Sequence, residues 1–327
     1  MKKILLIATG GTIASCKTKD GLTPALSPQM LLSYIPESAA FCKVDPLQIL
    51  NIDSTNVRPQ HWLLMARTVQ ENYKNYDGFV ICHGTDTMAY TAAALSYLVR
   101  DPDKPIVVTG SQKPIDMDVT DAKTNLLDSL RWACGGVGGV CIVFGGKVIA
   151  GTRARKSRTK SYNAFSSINF PDLAVIRDGN VIRYINPEKP QGPFFSNCLD
   201  TAVSVLKLTP GLSAEAFSAI GSLCNGLIIE SYGVGGVPDL YADALAQLTK
   251  EGKVVVVATQ VPHEGSDMAV YRVGHVAKER FGLLETYDMT IESTVTKLMW
   301  VLGQTRDPQR VKSLFYQTIN YDVLWVQ

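Results

Sequence analysis

Seven short, largely apolar runs constrain the architecture of this chain. Ile4–Ala8, Gln48–Ile52, Phe79–Cys82, Ile106–Thr109 and Val140–Phe144 fall in its first half. Leu227–Ile229 and Val254–Ala258 fall in its second. Each has the length of a strand, and none shows the strict alternation of a half-solvated one. Strands apolar on both faces belong to a parallel sheet covered by helices.

Helical segments separate these runs. Ser27-Pro28 offers an N-cap and an N1 proline to Gln29–Tyr34, and Pro59 opens His61–Tyr73. Thr87–Val99 and Asp121–Ala133 follow, the latter with Leu126, Leu127, Leu130 and Ala133 at helical spacing. Thr290–Leu302 and Pro308–Tyr316 have the same character near the end. Strand and helix in alternation predict right-handed crossovers and an α/β fold. Asn186–Pro193 carries three prolines and a glycine, which neither periodicity survives. Read as the start of a linker at 186–212, it leaves a larger N-terminal parallel-sheet α/β domain at 1–185. A smaller C-terminal α/β domain then occupies 213–327.

Composition removes several classes of function. The net charge is +2, with no basic face for nucleic acid and no acidic tail. No apolar run approaches the ~18 residues of a membrane-spanning helix. Seven cysteines, odd in number and without a C-x-x-C pair, make neither a disulfide framework nor a zinc site. A reducing cytoplasm suits them. Lys2-Lys3 before Ile4–Ala8 has the look of an export signal, and Ile13-Ala14-Ser15-Cys16 that of a lipoprotein cleavage box. The apolar stretch nevertheless breaks at Thr9-Gly10-Gly11-Thr12, short of the ~7–15 residues such a signal needs.

In open parallel sheets, ligands bind beyond the carboxyl ends of the strands. The residues there are Thr9-Gly10-Gly11-Thr12, His83-Gly84-Thr85-Asp86-Thr87 and Gly110-Ser111-Gln112. Glycines beside hydroxyls let backbone N–H groups approach a ligand closely, although a simple tight turn uses the same residues. Nucleotide loops are missing. Gly136-Val137-Gly138-Gly139 and Gly233-Val234-Gly235-Gly236 come nearest but end on Cys141 and Pro238 where the last glycine belongs. A threonine or serine nucleophile is the sharper reading, and it needs a base. There are four histidines and no G-x-S-x-G elbow, so an ordinary serine-hydrolase triad is disfavoured. His83 is placed to orient its loop by hydrogen bonding. Lys156 or Lys160 offers another base, although their cluster of Arg153, Arg155, Lys156, Arg158 and Lys160 also reads as a solvated loop.

Leu6–Ala14 (LIATGGTIA) and Gly78–Met88 (GFVICHGTDTM) resemble the signature segments of the bacterial-type L-asparaginase (asparaginase/glutaminase) family. Val108–Gln112, Ser231–Gly235 and Asp288–Thr294 extend the resemblance over nearly the whole chain, and the cytoplasmic type I branch is the nearest in character. The resemblance implies hydrolysis of L-asparagine to L-aspartate and ammonia, without metal or cofactor. It implies Thr12 as the nucleophile of an acyl-enzyme ester, and Thr85, with Lys156 as its base partner, in proton transfer. Asp86 would hold the substrate α-ammonium and Ser54 the α-carboxylate, with Thr55 lining the same pocket. A homodimer or homotetramer is implied as well.

One departure stands out. Many members carry a tyrosine on the mobile loop after the nucleophile, where Asp20-Gly21-Leu22-Thr23-Pro24 has Leu22. Thr23 is a stand-in hydroxyl, and Lys17–Asp20 with Gly21 reads as a lid. Glu230 stands where members with a second, regulatory site tend to carry a cation, so no such regulation is expected. Two alternatives accompany this reading. One is a glutaminase-type amidohydrolase, including the glutaminase-like component of an archaeal tRNA amidotransferase. That component usually carries an extra N-terminal domain, whereas here the first strand opens the chain. The other is a non-catalytic binder of small amino acids on the same scaffold.

Overall fold

A computed structural model describes residues 1–18, 21–186 and 190–325. The chain divides into two compact units, Met1–Asn197 and Cys198–Gln327.

The first unit opens with β1 (Lys2–Gly10), a hairpin of β2 (Ser15–Thr18) and β3 (Gly21–Pro24), α1 (Pro28–Ser33) and β4 (Cys42–Ile52). There follow α2 (Pro59–Asn72), β5 (Gly78–Cys82), α3 (Met88–Leu98), β6 (Val99–Arg100), β7 (Pro105–Thr109) and α4 (Ala122–Cys134). The unit continues with β8 (Gly139–Phe144), β9 (Lys147–Ala150), β10 (Ala154–Lys156), β11 (Phe165–Ser167), β12 (Ala174–Arg177), β13 (Asn180–Arg183) and β14 (Phe194–Phe195).

Its main sheet has the order β13-β12-β9-β8-β7-β5-β1-β4. From β4 to β8 the strands are parallel, and β5 and β7 are buried at every position. Alternate residues serve opposite faces. Ile4, Leu6, Val80, Cys82, Val107, Cys141 and Val143 form one core with Leu126, Leu127 and Leu130 of α4. Leu5, Ile7, Phe79, Ile81, Ile106 and Val108, also buried, fall on the other face. The helix α3 is buried at every position except Tyr90, which explains its largely apolar sequence; its polar Thr91 and Ser96 are hydrogen-bonded.

The expected parallel sheet is present and carries an antiparallel extension at one end. Beyond β8 it continues with β9, β12 and β13, all antiparallel. Gly145 and Gly146, both at positive φ, turn β8 directly back into β9, and so short a connection cannot make a parallel crossover. The 186–212 segment, expected as a linker, also carries two strands. Within it, Phe194 and Phe195 pair with Arg100 and Val99. Residues Pro187, Glu188 and Lys189 of that segment lie outside the described residues.

The second unit alternates strand and helix as far as its last strand, which two helices follow. It runs β15 (Val203–Lys207), α5 (Ala214–Ser222), β16 (Gly226–Ser231), α6 (Ala242–Lys250), β17 (Val254–Thr259), α7 (Arg272–Phe281), β18 (Leu284–Glu285), α8 (Ile291–Gln304) and α9 (Pro308–Tyr316). Its sheet, β15-β16-β17-β18, is wholly parallel. Within this unit Lys297 of α8 forms a 2.6 Å ion pair with Asp322, both side chains being fully buried.

Candidate active site

Because β4, β1, β5 and β7 are parallel neighbours, their carboxyl ends open on one edge of the sheet. Four turns therefore converge there. After β1, Gly11 (φ 79°, ψ 178°) leads into a single 3-10 turn at Thr12–Ala14. After β4, Asp53 caps a 3-10 turn at Ser54–Asn56 by accepting from Thr55 N–H at 2.8 Å. After β5 the chain runs His83–Thr87 into α3, and after β7 it runs through Gly110, Ser111 and Gln112.

These turns pack backbone to backbone. The Gly11 N–H donates to the Ile52 carbonyl at 3.1 Å. A Cβ on Gly11 would lie 2.5 Å from Gly84 Cα, and one on Gly110 would run into the His83 carbonyl oxygen. On its other side Gly84 leaves room only for Ser54, whose Oγ would sit 2.6 Å from an added Cβ. Only glycine allows such approaches, and the φ and ψ of Gly11 are themselves open to glycine alone.

Lys156 arrives from a different direction, at the end of β10. This strand pairs with β11, setting Lys156 opposite Phe165, whose ring packs edge-on to Phe144 at 5.0 Å. The basic cluster that also reads as a loop in sequence thus places Lys156 on a strand. Its Nζ lies 2.7 Å from Thr85 Oγ1 and 2.6 Å from Asp86 Oδ1. The environment is graded: the Lys156 side chain is 18% exposed and that of Asp86 56%. Thr85 is buried.

The Thr85 oxygen accepts from Lys156 and donates its own proton to Gln112 Oε1 at 3.4 Å. Gln112 is held in turn. Its backbone N–H donates to both carboxylate oxygens of Asp121, at 3.1 and 2.9 Å, and its Nε2 donates to the Ser161 carbonyl at 3.2 Å. Burial pushes the Asp121 carboxyl up, although several hydrogen bonds to its charged form oppose the shift. Asn125 ties the same region together, donating to Gly110 O and Asp121 Oδ2 and accepting from Gly145 N–H.

His83 lies under the Thr85 turn and is fully buried. Its Nδ1 is 2.7 Å from the Gly84 carbonyl and its Nε2 3.0 Å from Thr91 Oγ1. Thr91 Oγ1 also accepts from the Trp62 indole N–H at 3.0 Å. Burial holds the imidazole down at about 4, so the ring is neutral near pH 7. The N–H groups of Gly84 and Thr85 have no hydrogen-bond acceptor among the described residues, although both residues are buried.

The structure thus joins Thr85, Asp86 and Lys156 directly. Ser54 is linked to them, its Oγ accepting from Asp86 N–H at 3.3 Å and its carbonyl from Thr87 Oγ1 at 2.8 Å. Thr12 is brought in by the Gly11–Gly84 contact. It is half-buried, and its hydroxyl has no hydrogen-bond partner among the described residues. Thr55 is exposed, with its hydroxyl committed to Asp53 Oδ1 at 2.7 Å, so it does not join this network. In the segment expected as a lid, β2 and β3 pair with Lys17 opposite Leu22. The side chains of Leu22 and Thr23 fall outside the described residues, as do Lys19 and Asp20. Sequence reasoning gives no role to Gln112, Asp121 or Thr91. The one available signal is the position of Gln112 just past a strand end.

Residues 3–189 match the family model described as Asparaginase, N-terminal, and 202–315 match the Glutaminase/Asparaginase C-terminal domain. The chain belongs to the asparaginase family. It is 41% identical over 323 residues to the L-asparaginase of Thermococcus kodakarensis, covering 97% of this chain and 98% of that one. The solved structure of the thermostable L-asparaginase from that organism superposes with a TM-score of 0.93 at 39% identity, over 99% of this chain and 100% of that one. L-asparaginase 1 of Escherichia coli strain K12 is 32% identical, over 97% of each chain. A component of the glutamyl-tRNA(Gln) amidotransferase of Pyrococcus horikoshii is also 32% identical, over 95% of this chain and 74% of its own. Relatives named as asparaginases and as amidotransferase subunits thus stand at similar identity.

Proposed function

We propose that this member of the asparaginase family hydrolyses L-asparagine to L-aspartate and ammonia. The observation that carries the reading is Lys156, bonded at once to Thr85 and Asp86, beside the Gly11 turn that presents Thr12. The 41% identity to a protein named L-asparaginase favours asparagine over other amides.

In this reading the Thr12 hydroxyl attacks the carboxamide carbon. The proton it loses ends on the departing amide nitrogen, which leaves as ammonia, and an ester to Thr12 remains. The N–H groups of Gly84 and Thr85 are the donors available to the tetrahedral oxyanion. A donor of this kind is worth about 3–4 kcal/mol of barrier. Water then cleaves the ester: its oxygen bonds to the acyl carbon, its proton passes by way of Thr85 to the Lys156 amine, and a proton returns along the same path to the departing Thr12 oxygen, restoring the hydroxyl. Asp86 is half exposed and takes the α-ammonium, so that the substrate replaces Lys156 as its ion-pair partner. The hydroxyl hydrogen of Ser54 serves the α-carboxylate, its oxygen being already held by Asp86 N–H. Thr55 is retained only as an edge of that pocket.

Assembly as a homodimer or homotetramer and a cytoplasmic location belong to the same reading. The latter is supported by seven cysteines that are all free thiols. The deciding experiment traps the ester. The enzyme is denatured during turnover of a slow substrate and digested, and the peptide holding Thr12 should carry the acyl mass. Thr12→Ala should abolish ammonia release while aspartate binding stays measurable. Turnover by that variant would sink the nucleophile, and aspartate binding without ammonia release by the unaltered chain would favour the non-catalytic binder. Comparison of asparagine with glutamine tests the glutaminase alternative, since a pocket one methylene different discriminates by only about 1–3 kcal/mol.

A further inference from the structure

We propose that His83 is a positioning residue for this hydrolysis: its neutral Nδ1–H tautomer fixes the Gly84–Thr85 peptide and so aims the Thr85 N–H into the site. The proposal rests on the hydrolase reading above.

Hydrogen-bond chemistry settles the proton positions. A carbonyl oxygen only accepts, so the 2.7 Å contact with Gly84 O requires the proton on Nδ1. An indole N–H only donates, so Trp62 occupies one lone pair of Thr91 Oγ1 at 3.0 Å. The Thr91 hydroxyl hydrogen is then directed to His83 Nε2, also at 3.0 Å. The chain Trp62 to Thr91 to His83 to Gly84 runs in one direction with every proton placed. A second proton on the ring would set two donors against Thr91 and displace its hydroxyl hydrogen. The ring has no exposed surface from which water could compensate.

The consequence follows from peptide geometry. The Gly84–Thr85 bond is trans, so its C=O and N–H point to opposite sides of one plane. Pinning the carbonyl toward the buried imidazole turns the Thr85 N–H away from it. That N–H has no acceptor among the described residues, in a setting where more than about nine in ten buried N–H groups are paired. A donor held rigidly without an internal partner is preorganised for charge that forms only during reaction. His83 therefore acts through Thr85, without touching substrate.

Two variants of the full chain separate this role from mere packing. An asparagine amide reaches the place of Nδ1, and a glutamine amide the place of Nε2. H83Q keeps a partner for Thr91 but loses the donor to Gly84, whereas H83N keeps that donor. Among folded, normally melting variants, H83Q should lose at least about tenfold in kcat with KM within about twofold, and H83N should lose less than about threefold. Equal losses, or a loss confined to KM, would overturn the proposal. The unaltered protein gives a second test that no folding failure can spoil. With 15N-labelled histidine and only four histidines to resolve, His83 should show a neutral ring protonated on Nδ1 at pH 7. A charged ring, or a proton on Nε2, would refute it. If the unaltered chain releases no ammonia from asparagine, the hydrolase reading fails and the catalytic role of His83 fails with it. The tautomer spectrum still reports the wiring, so the two failures are distinguishable.

Discussion

Gly11 and Gly84 touch backbone to backbone: a Cβ on Gly11 would come within 2.5 Å of Gly84 Cα. The turn bearing Thr12 and the turn bearing Thr85 thus share one van der Waals surface with no side chain between them. Gly11→Ala should destabilise the protein by about 3 kcal/mol or more, since strain at φ 79° adds to the clash. Denaturant midpoints test this, with Gly21→Ala as the control. Gly21 also has positive φ but nothing within 4 Å of an added Cβ, so it should lose less.

Lys156 and Asp86 should separate in kinetics. Lys156→Met removes the proton acceptor for Thr85, and kcat should fall by about 10²–10⁴. Asp86→Asn removes the group that meets the α-ammonium, so KM should rise as well. Neither change should shift stability by more than about 1 kcal/mol, because the Asp86 side chain is 56% exposed. Steady-state rates and melting curves on the same preparations test both statements. A fall in melting temperature that matched the fall in rate would contradict them.

Acid should weaken the fold partly through His83. Its folded value of about 4 lies below the ordinary 6.5, so between these values the unfolded chain binds a proton that the folded chain refuses. This contribution is complete above pH 6.5 and is lost as pH falls toward 4, by up to about 3 kcal/mol. Asp121 and Asp128, raised by burial, act in the opposite sense in every variant. Urea unfolding at pH 7 and 4.5 should therefore show a smaller acid loss in H83N than in the unaltered protein.

The buried pair in the second unit gives a fourth expectation. Lys297 and Asp322 have no exposed side-chain surface. Removing one partner, as in Asp322→Asn, should cost about 3–5 kcal/mol because it leaves a buried charge uncompensated. Replacing both by apolar residues of similar size should cost much less. Chemical denaturation of the single and double variants reads the difference.

The central strands are legible in sequence because burial on both faces forces an unbroken apolar composition, as in Phe79–Cys82 and Ile106–Thr109. Helix starts are legible where a cap is written locally, as with Ser27, which accepts from Met30 N–H. Strand β4 is legible over only half its length, since it is an edge strand, only partly buried along most of its length, and so admits Lys43, Asp45 and Pro46, which break the apolar run. Strands β12 and β13 are hidden because partial exposure admits polar residues that mask the period. The chemistry at the site depends on distance in sequence. Lys156 and Thr85 are 71 residues apart, and Gln112 and Thr85 are 27 apart. No local pattern encodes such meetings. The family resemblance supplies Lys156 and Thr85, whereas the partners of Gln112 and His83 emerge only from the folded structure.

The glycine turns have a consequence for how such a chain can diversify. With Gly11 against Gly84 and Gly110 against His83, the rim offers no slack for insertions or bulkier residues. Drift toward a longer or shorter amide has to work on segments outside that rim. The stretch around Ser161, which grips Gln112 by a single carbonyl, and the exposed turn at Thr55 are such segments. Selectivity can then wander between relatives while the reacting groups stay fixed in place.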